Sequence, residues 1–120
     1  MANISVAENK NLTNTEQKAL KIFKEKIIRK FGDSVVLIKL YGSKARGDSH
    51  QDSDIDVLLV FKNDSIQNST KETIAEIVFD ILLELNVYIS AATFSFREYN
   101  YLNNPPIPFM YWIQKEGINL

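Results

Sequence analysis

The stretch "LYGSKARGDSHQDSDIDVLLVF", from Leu40 to Phe61, joins the ends of two apolar runs. A glycine and a serine, Gly42 and Ser43, end the first run, and two aspartates, Asp54 and Asp56, open the second. Runs of this length, rich in β-branched residues and bounded by glycine and polar residues, predict two strands with a loop between them. The pattern therefore places a hydroxyl, a flexible backbone and two carboxylates at the ends of two strands, where a ligand could bind.

The whole chain has 120 residues, of which 45% are hydrophobic. This is enough for one core and too little for a second domain that would shape a substrate pocket. The N-terminal sequence "MANISVAENKNLTN" is polar for most of its length. We therefore expect residues 1–12 to be flexible and residues 13–120 to form a single domain.

Composition excludes several classes of function. The formal net charge is -1 and the basic residues are scattered, so nucleic acid is not expected as a direct ligand. The chain has no cysteine and one histidine, His50, which excludes disulfides and thiolate zinc sites but leaves open a hard metal bound by oxygen. No apolar run approaches the roughly 20 residues that span a bilayer, and the N-terminus has no signal-peptide pattern. We expect a soluble, cytoplasmic protein.

Helix and strand signals alternate along the chain in the order α, β, β, α, β, α, α. The predicted strands are "SVVLIKLY", "IDVLLVF" and "VYISAATF", and the first two are apolar on both faces, as central strands are. Capping-box pairs predict three helix starts, at Thr13 with Glu16, Ser69 with Glu72, and Ser95 with Glu98. Apolar stripes at helical spacing follow the first two starts, at Leu20, Phe23, Ile27 and Phe31, and at Ile74, Ile77, Ile81 and Leu85. Gly32 and Gly117 are placed to end the first and last helices. The predicted fold is α/β (α+β), a small mixed sheet flanked by helices.

The loop between the first two strands carries the candidate chemistry. Gly42 lets the backbone approach a ligand closely, and backbone N–H groups with the Ser43 hydroxyl suit a phosphate, which Arg46 could also reach. Side chains alternate along a strand, so Asp54 and Asp56 should share a face about 7 Å apart. Two carboxylates on one face repel each other unless a cation lies between them, and Mg²⁺ typically binds one or two carboxylates plus substrate phosphates. The stretch therefore predicts a site for a nucleoside triphosphate with Mg²⁺.

Each part also has a simpler interpretation. A lone D-x-D is usually a solvated strand start and a lone Gly-Ser is usually a turn, but their fixed spacing favours the nucleotide site. An EF-hand is excluded, because Val57 replaces the required glycine and Asn63 stands where the bidentate glutamate belongs. His50 is interpreted as an exposed loop residue.

The segment "GSKARGDSHQDSDID" resembles the G-S-x10-D-x-D signature of the polymerase-β-like nucleotidyltransferases, and the short chain is similar to the minimal (MNT) members. The resemblance covers most of the chain from about residue 16, including the "I-x-K-E-G" ending. It implies that Gly42, Ser43 and Arg46 bind the triphosphate of ATP. It also implies that Asp54 and Asp56 are catalytic and bind Mg²⁺ for nucleotidyl transfer to a hydroxyl.

The sequence departs from the family on the third strand. Catalytic members usually carry a third carboxylate there, whereas "NVYISAATF" contains no Asp or Glu, and Tyr88 or Ile89 aligns with the position. Glu84 lies just before this segment and is predicted to be an exposed helix residue.

Two functions follow from the resemblance. One is an enzyme that transfers AMP from ATP to a hydroxyl of a partner protein, as the antitoxin of a HEPN/MNT toxin–antitoxin pair. The other is a catalytically inactive nucleotide-binding partner that neutralises a HEPN-type toxin by binding alone. A transferase for free small molecules is disfavoured, because no second domain shapes an acceptor pocket. The aromatic residues of "PPIPFMYWIQKEGINL" could form a docking patch or pack in the core, and the sequence does not decide between the two.

Overall fold

The computed structural model describes residues 11–48 and 54–120. The elements follow the chain as five α-helices, four strands and a 3-10 turn at Gly32–Ser34: α1 Asn14–Phe31, β1 Val35–Tyr41, α2 Ser43–Arg46, β2 Ile55–Phe61, α3 Asn68–Leu85, β3 Ile89–Ser95, α4 Phe96–Leu102, α5 Pro108–Glu116 and β4 Ile118–Asn119. The predicted class, a mixed α/β fold, is confirmed. The predicted order lacked α2 as a separate helix and lacked β4.

The four strands form one mixed sheet in the order β3-β2-β1-β4. β1 runs antiparallel to both β2 and β4, whereas β2 and β3 are parallel and are joined by the crossover helix α3. The prediction that the first two strands are central is confirmed. β2 is buried along nearly its whole length, but β4 pairs with β1 only at Lys39 and Leu40, which leaves Val36 at the other end of β1 exposed.

Both faces of the sheet are covered. The larger core packs α1 and α3 against one face, and its fully buried members from the helices and β2 include Leu20, Phe23, Ile27, Ile81, Ile55, Val57 and Leu59. The smaller core lies on the other face, where Met110 and Ile113 of α5 pack on Leu58 and Val60 of β2. Because successive residues of β2 alternate between these two cores, Asp56 lies on the α5 side, at the end of the sheet where β2 begins.

The helix starts agree with the sequence in two cases out of three. Thr13 with Glu16 and Ser95 with Glu98 form complete capping boxes at the starts of α1 and α4. The third prediction is wrong, because α3 starts after Gln67, which makes no side-chain cap. Thr70 and Lys71 donate their backbone N–H groups to the Gln67 carbonyl, so the first turn already contains Ser69.

The ends of the described chain are held in place. Gly32 ends α1 with a positive φ of 54° and Gly117 ends α5, as the sequence predicts. Of residues 1–12, which the sequence predicts to be flexible, Leu12 is buried in the larger core and Asn11 is exposed. Residues 1–10 lie outside the described residues. Within residues 11–48 and 54–120, no helix is both long and apolar enough to cross a lipid bilayer.

Candidate functional site

The turn after β1 is built around Gly42. This glycine has a φ of 76° and precedes the four-residue helix α2, whose Ala45 and Arg46 N–H groups both donate to the Gly42 carbonyl at 3.1 Å. A side chain at position 42 would be strained by the positive φ, and its Cβ would overlap the Asp56 carboxylate oxygen Oδ2. The turn and the first residues of β2 are therefore in direct contact, and a glycine is required between them.

Asp56 and Asp54 bring two negative charges to this turn. Asp56 lies in β2 and is half-buried, while Asp54 is exposed and lies one residue before the strand begins. Burial raises the pKa of the Asp56 carboxyl, the charge of Asp54 raises it further, and the Arg46 guanidinium lowers it. The structure thus brings three of the predicted site residues, Asp54, Asp56 and Arg46, within electrostatic reach of one another, next to a fourth, Gly42.

The donor set fits a hard cation. Oxygen ligands from one or two carboxylates are what Mg²⁺ takes from a protein when phosphates complete its coordination. Burial, and to a lesser extent the charge of Asp54, raise the pKa of Asp56, so its carboxylate lies in a partly desolvated place beside a second negative charge. Asp54 and Asp56 are therefore the residues that could bind the metal.

Two neighbouring strands place polar side chains beside Asp56. The strand register pairs it with Tyr41 of β1 on one side and with Ser90 of β3 on the other. Burial and the charge of Asp56 raise the pKa of the Tyr41 hydroxyl. The residue that pairs with Asp56 on the third strand is Ser90. Ile89 pairs with Ile55 and is buried in the larger core, whereas Tyr88 is exposed and accepts the backbone N–H of Ile55, so the alignment to Tyr88 stays a prediction.

Arg46 is held by two acidic side chains. Its guanidinium lies 3.2 Å from a carboxylate oxygen of Asp48 and 3.5 Å from one of Glu116, and the side chain is 42% exposed. Exposed ion pairs contribute little to stability because solvent screens them, so exchange of these partners for a phosphate would cost little. The sequence prediction named Arg46 but not Glu116, which lies in the last turn of α5.

Lys44 is the residue of the turn that sequence reasoning missed. It follows Ser43 in the chain, yet its side chain points into the protein, where its Nζ lies 2.6 Å from a carboxylate oxygen of Glu16. The capping-box pattern identified Glu16 as a helix-start residue, but no local signal shows that its second oxygen meets a lysine 28 positions away. Glu84 is exposed on α3, as predicted, and His50 lies outside the described residues.

The chain matches the sequence model of a known protein family. The sequence model of the nucleotidyltransferase domain family matches residues 19–107, which include the turn, both aspartates and the strands that carry them. The chain therefore belongs to the nucleotidyltransferase domain family, and its enzyme class is nucleotidyltransferase. No curated protein sequence matches the chain closely enough to count as a relative.

Solved structures have the same fold. A toxin–antitoxin complex with AMP-PNP matches with a TM-score of 0.51 and 18% identity, over 81% of this chain and 68% of that chain. A mutant of the toxin–antitoxin pair MntA–HpeT matches with a TM-score of 0.52 and 17% identity, over 84% and 70% of the two chains. A candidate nucleotidyltransferase from Sulfolobus solfataricus matches with a TM-score of 0.52 and 21% identity, over 98% and 87%. At these identities the likeness is one of fold.

Proposed function

We propose that this chain uses ATP and Mg²⁺ to transfer AMP to a hydroxyl group of a partner protein, and that it is the antitoxin of a pair whose toxin is of the HEPN type. The observation that carries the proposal is the contact between the Gly42 turn and Asp56, with Asp54 alongside, because it joins a phosphate-binding backbone to a metal-binding carboxylate pair. The toxin–antitoxin complexes of the same fold, one of them with AMP-PNP, support the nucleotide and the partner. The domain is residues 13–120, and it acts in the cytoplasm.

The residues of the site have distinct roles in this reaction. Gly42 allows the backbone to approach the triphosphate, the Ser43 hydroxyl donates a hydrogen bond to a phosphate oxygen, and Arg46 neutralises phosphate charge. Asp54 and Asp56 would hold Mg²⁺ through their carboxylate oxygens. When bound, the metal would stabilise the attacking and leaving oxygens at the α-phosphorus.

The transfer is a displacement at phosphorus. The acceptor hydroxyl oxygen forms a bond to the α-phosphorus, the bond from that phosphorus to the bridging oxygen of the β-phosphate breaks, and pyrophosphate leaves. The hydroxyl proton passes to water or to a carboxylate. A small domain has few residues with which to enclose an acceptor. In this proposal the acceptor hydroxyl therefore lies on the surface of the partner protein and reaches the site when that protein docks.

The surface next to the site offers a place for that protein. We define the α5 aromatic face as Phe109, Tyr111 and Trp112, all of which are exposed although Met110 and Ile113 of the same helix are buried. The Phe109 ring packs edge-on against Tyr41, with 5.5 Å between ring centroids, and Tyr41 is the register neighbour of Asp56. The α5 aromatic face is therefore continuous with the site, and a partner docked on it would lie close to the α-phosphate.

A direct experiment tests the proposal. The purified chain is incubated with Mg²⁺, ATP and the protein encoded by the adjacent gene, and intact-mass spectrometry follows both proteins. We expect the partner to gain one or more AMP groups on a tyrosine, serine or threonine, and the variant Asp54→Asn to abolish the gain. No gain in mass, together with silencing of the toxin by both the wild type and Asp54→Asn, would contradict the proposal and would indicate neutralisation by binding alone.

One observation favours that second function. Within residues 11–48 and 54–120, no group of three or more acidic, histidine or cysteine side chains is arranged to bind a metal. Ser90 pairs with Asp56 in the strand register, and we propose it as a position from which a third carboxylate could join the two aspartates. If nucleotide binds but transfer is slow, Ser90→Asp should raise the transfer rate by adding an acidic ligand and base. Ser90→Asn, which has a similar shape and no charge, is the matched control. Equal rates in the two variants would exclude Ser90 as the limiting position.

A further inference from the structure

A buried ion pair lies directly behind the turn of the candidate site. Lys44 is 2% exposed and Glu16 is 6% exposed, and the Lys44 Nζ lies 2.6 Å from the Glu16 oxygen Oε2. Lys44 is the second residue of α2 and follows Ser43, the hydroxyl of the turn. The pair therefore connects the turn to the start of α1.

Glu16 is itself fixed in place from the other side. Its second oxygen, Oε1, accepts the backbone N–H of Thr13 at 2.9 Å, and its own backbone N–H donates to the Thr13 hydroxyl at 3.1 Å. The helix that it starts has 18 residues and packs Leu20 and Phe23 into the larger core with no exposure. The carboxylate that meets Lys44 is thus part of a rigid element.

α2, in contrast, is too short to hold its own position. A single helical turn is unfavourable in isolation, so a four-residue helix depends on contacts with the rest of the protein. The segment before α1 supplies a second contact, since the Asn11 amide donates to the Ala45 carbonyl at 3.4 Å. Asn11 also lies against Gly47, where an added Cβ would come within 2.8 Å of its side-chain oxygen. The first turn of α1 and the residue Asn11 before it therefore contact α2 and the glycine that ends it.

We infer that Glu16 and Lys44 are positioning residues, which hold the turn from Gly42 to Gly47 in the geometry that accepts the triphosphate. The inference rests on the proposed function, because it assigns phosphate binding to this turn. The Lys44 side chain is buried and its ammonium pairs with Glu16, so we assign it to positioning and not to direct contact with the nucleotide. Instead, its pairing with Glu16 sets where the backbone N–H groups of α2 and the Ser43 hydroxyl lie.

The test separates positioning from stability with the double variant Glu16→Gln/Lys44→Met. Glutamine can keep the capping box and methionine keeps an unbranched stem, and removing both charges together avoids leaving one buried charge without its partner, which is the strongly destabilising change. The control is Lys21→Met/Glu25→Gln, which makes the same chemical changes at exposed positions of α1. Thermal unfolding, calorimetric titration with ATP and Mg²⁺, and amide hydrogen exchange of the nucleotide-free protein are measured for each.

We expect the double variant to unfold at nearly the temperature of the wild type, yet to bind ATP about tenfold more weakly, as typically follows loss of a residue that orients a ligand group. The amides of Ala45, Arg46 and Gly47, which donate to the Gly42 and Ser43 carbonyls, should exchange at least several times faster. Lys44→Arg, which keeps a cation for Glu16, should restore most of the affinity. The control variant should match the wild type in all three measurements.

A double variant that binds ATP and exchanges its amides as the wild type does would overturn the inference and leave the pair as a purely structural contact. If the wild type binds no nucleotide, the proposed function fails by itself. In that case faster exchange confined to α2 would still support the positioning of the turn, and unchanged exchange would contradict it.

Discussion

Asp56 is the residue at which the separate parts of the candidate site meet. Its carboxylate contacts the Gly42 turn, it lies within the field of Asp54, and its strand neighbours are Tyr41 and Ser90. Burial and the charge of Asp54 raise the pKa of Asp56, which means that its ionised form is less stable in the metal-free protein than it would be in water. A bound divalent cation would stabilise the ionised form.

The first prediction follows from this repulsion. The double variant Asp54→Asn/Asp56→Asn should lose Mg²⁺-dependent ATP binding in calorimetric titration, because both oxygen donors become neutral amides. Its thermal midpoint should stay the same or rise, since two repelling charges are removed. Asp80→Asn/Glu84→Gln on the exposed side of α3 is the control for net charge. Unchanged affinity in the Asp54/Asp56 variant would remove the basis for a metal site.

The second prediction ranks two changes in the turn. Ser43→Ala removes one hydroxyl contact and should weaken ATP binding by about 1 kcal/mol. Gly42→Val should weaken it more, because its Cβ would displace Asp56 and its φ of 76° strains any side chain.

Gly32→Val separates strain from loss of the site. Gly32 also has a positive φ, but an added Cβ there meets no atom within 4 Å. The variant Gly32→Val should therefore lower the thermal midpoint without changing the affinity for ATP. An affinity loss larger for Ser43→Ala than for Gly42→Val would show that the turn does not wrap a phosphate.

Four residues of the candidate site could be identified from their spacing along the chain. Gly42, Ser43, Asp54 and Asp56 lie in one short stretch, so their residue types and separation could be recognised. Ser90 and the pairing of Lys44 with Glu16 could not be found in this way, because strand register and helix packing bring these residues together across long stretches of chain.

Helix ends were predicted correctly where the local sequence determines the backbone geometry at that end. Two capping boxes and the glycine at the end of α1 specify backbone geometry directly, and all three were predicted correctly. The start of α3 was not, because Ser69 and Glu72 fit a capping pattern but the helix is entered two residues earlier, at Gln67. β4 was missed because a strand of two residues has no periodicity to detect, and its existence depends on pairing with β1.

The third prediction concerns α5. Trp112 is 53% exposed, and its ring packs edge-to-face against the ring of Tyr111. It is therefore an apolar projection of the α5 aromatic face. Trp112→Ala should weaken binding of the partner protein by 2 kcal/mol or more, about 30-fold, as truncation of an aromatic anchor commonly does. Its affinity for ATP should be unchanged.

Leu83→Ala is the matched control for this prediction. Leu83 is 70% exposed on α3, which packs on the opposite face of the sheet. Biolayer interferometry with the immobilised partner gives both affinities. Equal losses in the two variants would show that the α5 aromatic face is not the docking surface.

In residues 11–48 and 54–120, helices pack on both faces of the sheet, and the candidate site lies at one end of the strands. The larger core beneath α1 and α3 and the smaller core beneath α5 occupy the middle of the strands, and the site lies where β1 ends and β2 and β3 begin. Under the proposed function, specificity for an acceptor comes from the surface of the partner protein. This explains why the sequence predicts a nucleotide site more readily than it predicts an acceptor.

The short β4 has a consequence for how the protein folds. β1 obtains one neighbour, β2, from the next strand along the chain, and the other, β4, from the opposite end of the sequence. Contacts that close long loops form late, so the β1–β4 pair should be absent from the folding transition state. This pair fixes Lys39 and Leu40, which lie just before Gly42. The end of β1 that leads into the candidate site should therefore be the last part to become ordered.

The fourth prediction tests this order by stopped-flow kinetics in denaturant. Ile118→Ala in β4 should speed unfolding and leave the folding rate nearly unchanged, whereas Val57→Ala in β2 should slow folding. A folding rate lowered more by Ile118→Ala than by Val57→Ala would reverse the order. If the expected order holds, newly folded molecules pass through a state with a formed core and an unfinished nucleotide site, and they acquire ligand affinity only after the bulk of the chain has already collapsed.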